Sequence, residues 1–239
     1  MVDISLLITF HDEREQARPT LLAADRARKF AAQHGHHVEL VLAVDNGSAT
    51  TCRVIDAFDR EPQDQILHHH LGDVGANRNA GIAACRGQLV AICDGDDMFS
   101  ENFLSVAARM LQTDSRQLII RPQVIVQFDQ AASIGWQTGS DDAAFDPCCL
   151  VVINPWTTGC MARRSLFDAV PYWVRAEDRA GLGFEDWHWN SETLAVGATN
   201  IIAPQTVQYV RIKAAGSVNT RYIGQAALPP PSRLLEMLA

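Results

Sequence analysis

The chain has no run approaching the roughly 18 uninterrupted apolar residues that a membrane-crossing helix requires. It has no excess of positive charge either: 20 Lys and Arg stand against 28 Asp and Glu, for a net charge of −8. Proteins that wrap nucleic acid or lie on an anionic membrane normally present a basic field, so both classes are argued against. The six cysteines (Cys52, Cys85, Cys93, Cys148, Cys149, Cys160) lack the paired short spacings of a zinc site and the density of a disulfide-stapled domain. Most of them read as small buried apolar residues. The tract His68-His69-His70 resembles a metal cluster only superficially, because neighbouring side chains on a strand point to opposite faces. No internal repeat is present, and only the "PPPS" near the end is compositionally biased. The N-terminal residues enter a strand-like run at once, which leaves no room for a secretory leader and gives the expectation of a soluble cytoplasmic protein.

What is present is an alternation. "ISLLITF" (4–10) is a continuous apolar run suited to a strand covered on both faces. Residues 18–33 form an amphipathic helix, "HVELVLAVD" (37–45) a second buried strand, and 50–59 a helix. "DQILHHHL" is a third strand, 75–86 a third helix and "GQLVAIC" a fourth strand. Ser100 is placed to N-cap a helix carrying Phe103, Leu104, Ala107 and Leu111 on one face. Strands alternating with helices imply parallel pairing and right-handed crossovers, hence an open, doubly wound α/β sheet. Beyond residue 112 the pattern loosens. "LIIRPQVIVQFD" reads as extended, "ASIGWQTGSDDAAFDP" as loop, "CCLVVI" as a short strand and 165–170 as a helical turn. "GFEDWHWNSETLAVG" reads as helix, "IIAPQTVQYVRI" as strand and "SRLLEMLA" as a terminal helix. One domain over residues 1–239 accommodates all of this.

Ligands in such sheets bind beyond the carboxyl ends of the strands. Three strands end there in polar chemistry, "TFHDE", "DNGS" and "DGDD", which places His11, Asp45 and the Asp94, Asp96, Asp97 cluster on one rim. Three carboxylates within four positions repel one another, and a divalent cation shared with substrate phosphates would offset this. A solvated acidic turn at the next helix is the other reading. A calcium loop does not fit, because the stretch turns into helix too soon. A haloacid dehalogenase-type phosphatase would place Asp-x-Asp on the first strand rather than the fourth.

Taken in order, "ISLLITFHDE", "LVLAVDNGSATT", "GANRNAGIAACRGQLVAICDGDDMFSENFL" and "GFEDWHWN" resemble the family 2 glycosyltransferases with the GT-A fold. The match is good over residues 3–112 and looser to 219. The resemblance implies a nucleotide-sugar-binding half (1–112), a smaller mixed acceptor half (113–220) and a tail (221–239). It also implies a nucleotide-diphosphate sugar donor, a carbohydrate or other hydroxyl acceptor, and Mn²⁺ or Mg²⁺ as cofactor, with no nucleic-acid partner.

Carried over residue by residue, the resemblance puts Thr9, His11 and Glu13 at the donor, with His11 where the family has a base-stacking tyrosine. Asp45 matches an aspartate that hydrogen-bonds the base, although "DNGS" also reads as an Asx turn. Arg78 would contact base or phosphate, or tie its helix to Asp94. Asp94 would meet the ribose, Asp96 would bind the metal, and Asp97 would assist or orient its neighbours. Asp186 would be the general base for an inverting attack, with Glu185 beside it and Trp189 and Asn190 flanking the acceptor on the same helix side. First-turn helix acids are the alternative for Glu185 and Asp186.

Lys213, in "YVRIKAAGSVN", falls near a metal-binding histidine of the family; it would contact the diphosphate itself or, with Arg211, form a solvated strand face. The five tryptophans Trp136, Trp156, Trp173, Trp187 and Trp189 are sugar platforms or core, and the loop 131–147 is expected to set acceptor choice. Two other functions remain open at this point, a phosphohydrolase using Asp94 as nucleophile and a nucleotide-sugar-binding module without turnover.

Overall fold

The computed structural model describes residues 2–175, 181–213 and 217–238. The N-terminal part alternates as β1 (Ile4–Phe10), α1 (Ala17–Gln33), β2 (Val38–Asp45), α2 (Ala49–Asp56), β3 (Gln65–His69), α3 (Val74–Ala84) and β4 (Leu89–Asp94). A two-residue β5 (Met98–Phe99) and α4 (Phe103–Thr113) follow. The remainder comprises β6 (Leu118–Asp129), β7 (Ser133–Trp136), β8 (Cys160–Arg163), α5 (Arg164–Ala169), α6 (Glu185–Ala195), β9 (Thr199–Ile212), α7 (Val218–Gly224) and α8 (Arg233–Leu238).

The described strands form one nine-stranded sheet in the order β3-β2-β1-β4-β8-β6-β9-β5, with β7 on the free half of β6. β3, β2, β1 and β4 are parallel, as are β6 and β9, while β8 enters antiparallel between β4 and β6. The expected mostly parallel, doubly wound sheet with a mixed second half is the observed one.

Alternation along the strands builds the two cores. Ile4, Leu6, Ile8 and Phe10 of β1 face Leu21, Ala24 and Ala27 of α1, Ile55 of α2 and Phe103 and Leu104 of α4. Leu7 faces the opposite way, into a core with Ile82 of α3, Phe167 of α5 and Trp189 of α6. Local capping fixes where the helices start. The Asp73 carboxylate accepts the Ala76 N–H at 2.7 Å to open α3, and Ser48 accepts the Thr51 N–H to open α2.

Several expectations need correction. Ser100 is not the N-cap of α4; Asn102 stands there. The Ser100 hydroxyl instead donates to Asn102 Oδ1 at 2.7 Å and accepts the Val207 N–H at 3.0 Å, pinning the start of α4 to β9. Part of the expected loop is β7, because the twelve-residue β6 offers an edge whose backbone groups need partners. "CCLVVI" is no strand: Pro147–Val151 is a 3₁₀ turn, started by Asp146, whose carboxylate accepts the Cys148 N–H, and by proline at its first position. β8 and α7 had no expectation attached to them.

The parallel half also contains a buried acid. Glu39, the second residue of β2, is fully buried, and its carboxylate accepts from Ser5 Oγ (2.6 Å), the Arg86 N–H (2.6 Å) and Arg86 Nε (2.7 Å). Burial pushes its carboxyl up, but the bonds from Ser5 and Arg86 prevail and hold it below the usual value. A depressed carboxylate contributes stability that is present above the unfolded value of about 4.3 and is lost as pH falls through the folded one. Replacing Glu39 with Gln is therefore expected to destabilise the chain at pH 7 by about 2–4 kcal/mol, since Arg86 loses its charged partner. Denaturant melts would show a smaller difference between the two proteins below pH 4.

Candidate active site

The strand order 3-2-1-4 reverses direction between β1 and β4, and at that switch point Thr9 lies in register with Asp94. Thr9 Oγ1 donates to Asp94 Oδ1 at 3.3 Å. The backbone then turns through Gly95, whose N–H donates to the Thr9 carbonyl at 2.9 Å. A Cβ at position 95 would stand 2.4 Å from the Phe10 ring and 2.8 Å from that carbonyl, so only glycine lets the aspartates fold back over β1.

Each aspartate of the turn has a different partner. Asp94 Oδ1 accepts from Arg78 Nη2 at 2.8 Å. Asp96 Oδ2 faces the Lys213 ammonium at 2.9 Å, with Glu13 Oε1 3.8 Å from the same nitrogen. Asp97 is buried, and its two oxygens accept the Arg211 N–H (2.9 Å) and Gln208 Nε2 (3.2 Å), tying the turn to β9. Burial, reinforced by Asp94 and Asp96, pushes the Asp97 carboxyl well above the usual range. Asp96 and Glu13 are also raised, chiefly by burial, against the pull of Lys213. Arg211 itself turns away to Asp129 on β6 at 2.8 Å, so the two basic residues do not share a target.

Arg78 joins this rim to the second acidic pair. Its guanidinium is 3% exposed and pairs with Asp94 through Nη2 and with Glu185 Oε1 through Nη1. It lies over the Tyr172 ring, 5.3 Å from the centroid, at the end of a stack formed by Tyr172, Trp189 and Phe167. The neighbours of Arg78 on α3 hold the helix in place: Asn77 donates to the Ala43 carbonyl at 3.1 Å, and Asn79 exchanges two bonds with the Tyr172 backbone. Arg78 thus ties α3 to Asp94, with Glu185 as a second anchor.

α6 opens from Phe184, whose φ of 58° is a left-handed conformation that a bulky residue adopts only under constraint. The first turn carries Glu185 and Asp186. Asp186 Oδ1 accepts the Trp187 N–H at 2.8 Å, and its Oδ2 faces Asn154 Nδ2 and Thr158 Oγ1, each at 3.3 Å. Behind it, Arg121 Nη2 donates to Asn190 Oδ1 at 2.6 Å and Asn190 Nδ2 donates to Asn154 Oδ1 at 2.8 Å. Burial pushes the Asp186 carboxyl up against the pull of Arg78, and Asp94 is near enough to add to the rise. Burial pushes Glu185 up to about 7, again against Arg78.

Two acceptor expectations are corrected here. Trp189 is 1% exposed inside the second core, with Nε1 donating to the Val170 carbonyl, so it cannot wall an acceptor. Asp186 and Trp189 are three residues apart on one helix, but the ring points into the sheet-packed side. Glu185 is likewise spent on Arg78 rather than turned to an open face. Trp156 and Trp187 also serve the interior; only Trp136 is widely exposed, at 72%. At the β2 end, the exposed His11 meets the Asp45 carbonyl through Nδ1 at 2.7 Å, and Asp45 Oδ1 accepts the Leu71 N–H at 2.6 Å. Asn46 takes the left-handed turn position at φ 50°. Asn154, Thr158, Arg121 and Tyr172 had no expectation attached. Their only trace in the sequence is turn chemistry in "NPWTTG" and a lone arginine in an apolar strand.

The donor set decides how a divalent ion would fit. Asp96, the expected ligand, is engaged by an ammonium, Asp94 by a guanidinium and Asp97 by two hydrogen bonds. Among the described residues, no three His, Cys, Asp or Glu side chains are grouped to hold a metal. The continuation of the Lys213 stretch, residues 214–216, lies outside the described residues. A separate groove of about 350 Å³ between α1 and α2, lined by Arg18, Leu22, Arg28 and Phe58 among others, shares no residue with the rim.

The family model described as glycosyl transferase family 2 matches residues 5–170. The glycosyltransferase GlyG of Streptococcus pneumoniae is 24% identical over 86 residues, covering 35% of this chain and 29% of that protein. Crystal structures of S. aureus TarS share the fold. The 1–349 fragment in complex with UDP-GlcNAc superposes with a TM-score of 0.66 at 11% identity, over 94% of this chain and 64% of that one. A further crystal structure of S. aureus TarS gives the same TM-score of 0.66 at 12% identity, over 88% of this chain and 37% of that one. The chain thus spans less than two thirds of GlyG and of the TarS fragment bound to UDP-GlcNAc. Among the described residues no helix is long and apolar enough to cross a membrane.

The raised carboxyl of Glu185 predicts a pH signature. A carboxyl held above its unfolded value of about 4.3 contributes stability that is complete below that value and lost as pH rises through about 7. Melting temperature should therefore fall between pH 5 and 8, and Glu185→Gln should flatten that slope. Arg78→Met, which strands two carboxylates, should cost about 3–5 kcal/mol in a denaturant melt at pH 7.5.

Proposed function

The chain belongs to glycosyl transferase family 2, and from that premise we propose that it moves a sugar from a nucleotide-diphosphate sugar to a hydroxyl acceptor with inversion at the anomeric carbon. The observation that supports this most is the Arg78 bridge, in which one guanidinium joins the donor-side Asp94 to Glu185, 107 residues away from Arg78 in sequence, and so to the Glu185-Asp186 pair. Residues 1–112 present the donor rim, with Thr9, His11 and Asp45 beside the nucleotide and Asp94 at the ribose. Residues 113–220 supply the acceptor side and, through the end of β9 and Lys213, also reach the aspartate turn of the donor rim.

In the reaction the acceptor oxygen attacks the anomeric carbon while the bond from that carbon to the diphosphate oxygen breaks. The acceptor proton passes to Asp186 Oδ2, and the nucleoside diphosphate leaves on the opposite face. A base must reach the hydroxyl it deprotonates and have a proton affinity matched to the task. Asp186 is held by Asn154, Thr158 and the Trp187 N–H, and burial raises its proton affinity. Glu185, by pairing with Arg78, fixes the first turn of α6 and acts as a positioning residue. The binding of UDP-GlcNAc by S. aureus TarS, which shares the fold, makes uridine nucleotides the first donors to assay. The Mn²⁺ or Mg²⁺ implied by the family resemblance fits these side chains poorly, since an ion on Asp96 must first displace Lys213. No step here runs through such an ion.

Asp186→Asn keeps the shape and removes the base. With a donor panel and added acceptor, its transfer rate is expected to drop by about 10²–10⁴-fold, while donor affinity stays within about threefold. Turnover near the parent rate would overturn Asp186 as base.

A further inference from the structure

We propose that Lys213 is a built-in cation for the donor diphosphate, so that the chain binds nucleoside diphosphates without a divalent metal. Lys213 takes this role only if the rim binds a nucleoside diphosphate, the reading proposed above.

Lys213 follows directly on β9, whose end is fixed by the turn it faces. Asp97 Oδ1 accepts the Arg211 N–H at 2.9 Å and Gln208 Nε2 reaches Asp97 Oδ2, so the last residues of β9 are bolted to the aspartate turn. Two residues further on, the Lys213 side chain folds back to Asp96, with its nitrogen 2.9 Å from Oδ2 and 3.8 Å from Glu13 Oε1. All three side chains are mostly buried, with between 10% and 19% of each exposed. Glu13 is held in turn by the His11 N–H. An ammonium has three donors. One is spent at hydrogen-bond distance on Asp96, and the 3.8 Å separation from Glu13 exceeds hydrogen-bond length. Among the described residues no other carboxylate lies within 4.0 Å of the ammonium, and the proposal assigns its remaining donors to phosphate oxygens arriving beside Asp94.

The placement has electrostatic consequences. A divalent ion bound to Asp96 would stand against a positive charge already on that carboxylate, and at such separations like charges repel strongly in a buried site. The carboxylates keep the lysine stem from relaxing into solvent, which preorganises a positive charge where the leaving group gains negative charge. Asp96 is thereby a positioning residue for Lys213.

Calorimetric titration of UDP, GDP, ADP, CDP and dTDP into the full chain, first in EDTA and then in excess Mn²⁺, tests this. At least one nucleotide is expected to bind in EDTA with an affinity within about threefold of that in Mn²⁺. Lys213→Met should weaken the EDTA binding by about tenfold to a hundredfold, the value of a charge-assisted hydrogen bond, and Lys213→Arg should retain most of it. The comparison of EDTA with Mn²⁺ on the unmodified chain stands even if the methionine variant does not fold. Nucleotide binding that appears only with Mn²⁺ overturns the role of Lys213 and leaves the donor reading intact. A folded Lys213→Met that binds in EDTA like the parent does the same. Failure of every nucleotide in both conditions removes the inference together with the donor reading.

Discussion

A single guanidinium fixes the relation between the two halves of the site. Arg78 is enclosed, and a cation taken so completely out of water is tolerable only with anionic partners at hydrogen-bond distance. It has two, Asp94 from the end of β4 and Glu185 from the start of α6, and it rests on the face of Tyr172. Moving either acid means stranding a buried charge, so β4 and α6 are locked to each other through α3. The rest of α3 reinforces the lock, with Asp73 capping its start, Asn77 bonded to β2 and Asn79 bonded to the chain at Tyr172. The charge that ties α3 to β4 and α6 thus also sets the distance between Asp94 and the Glu185-Asp186 pair.

The crowding of Asp94, Asp96 and Asp97 is relieved in three different ways. Arg78 neutralises the first, Lys213 the second, and the third is buried with both oxygens accepting from the Arg211 N–H and the Gln208 amide, burial and its acidic neighbours raising its carboxyl. Each device ties the turn to a different part of the molecule: α3, the end of β9, and the body of β9. A turn with so many attachments does not need a metal to be ordered, and that separates its structural role from whatever ion its chemistry uses.

Much of this architecture was legible beforehand because it depends on local pattern. Continuous apolar strands ending at Phe10, Asp45 and Asp94, separated by amphipathic helices, point to a parallel doubly wound sheet with its polar strand ends on one rim, though not to its strand order. The second half was harder for physical reasons. "CCLVVI" has the composition of a strand, yet Asp146 and Pro147 bend it into a 3₁₀ turn. β7 exists only because β6 leaves an edge to cover. Trp189 has the helical spacing of a side chain near Asp186, and which side of α6 faces the core is decided by partners from α5 and the Tyr172 region. Ion pairs across long separations, Arg78 with Glu185 or Lys213 with Asp96, have no local signature at all. Nor does the Arg121, Asn190, Asn154 relay behind Asp186, whose members come from three separate stretches.

The central claim is that one corner, organised around Arg78, holds the diphosphate on one side and the acceptor base on the other. A crystal structure of the chain with an intact nucleotide sugar tests it most directly. The account predicts the diphosphate between Asp94 and Lys213, with the anomeric carbon turned toward Asp186. A nucleotide sugar seated in the α1–α2 groove, or lying on the rim with its sugar directed away from α6, would contradict it.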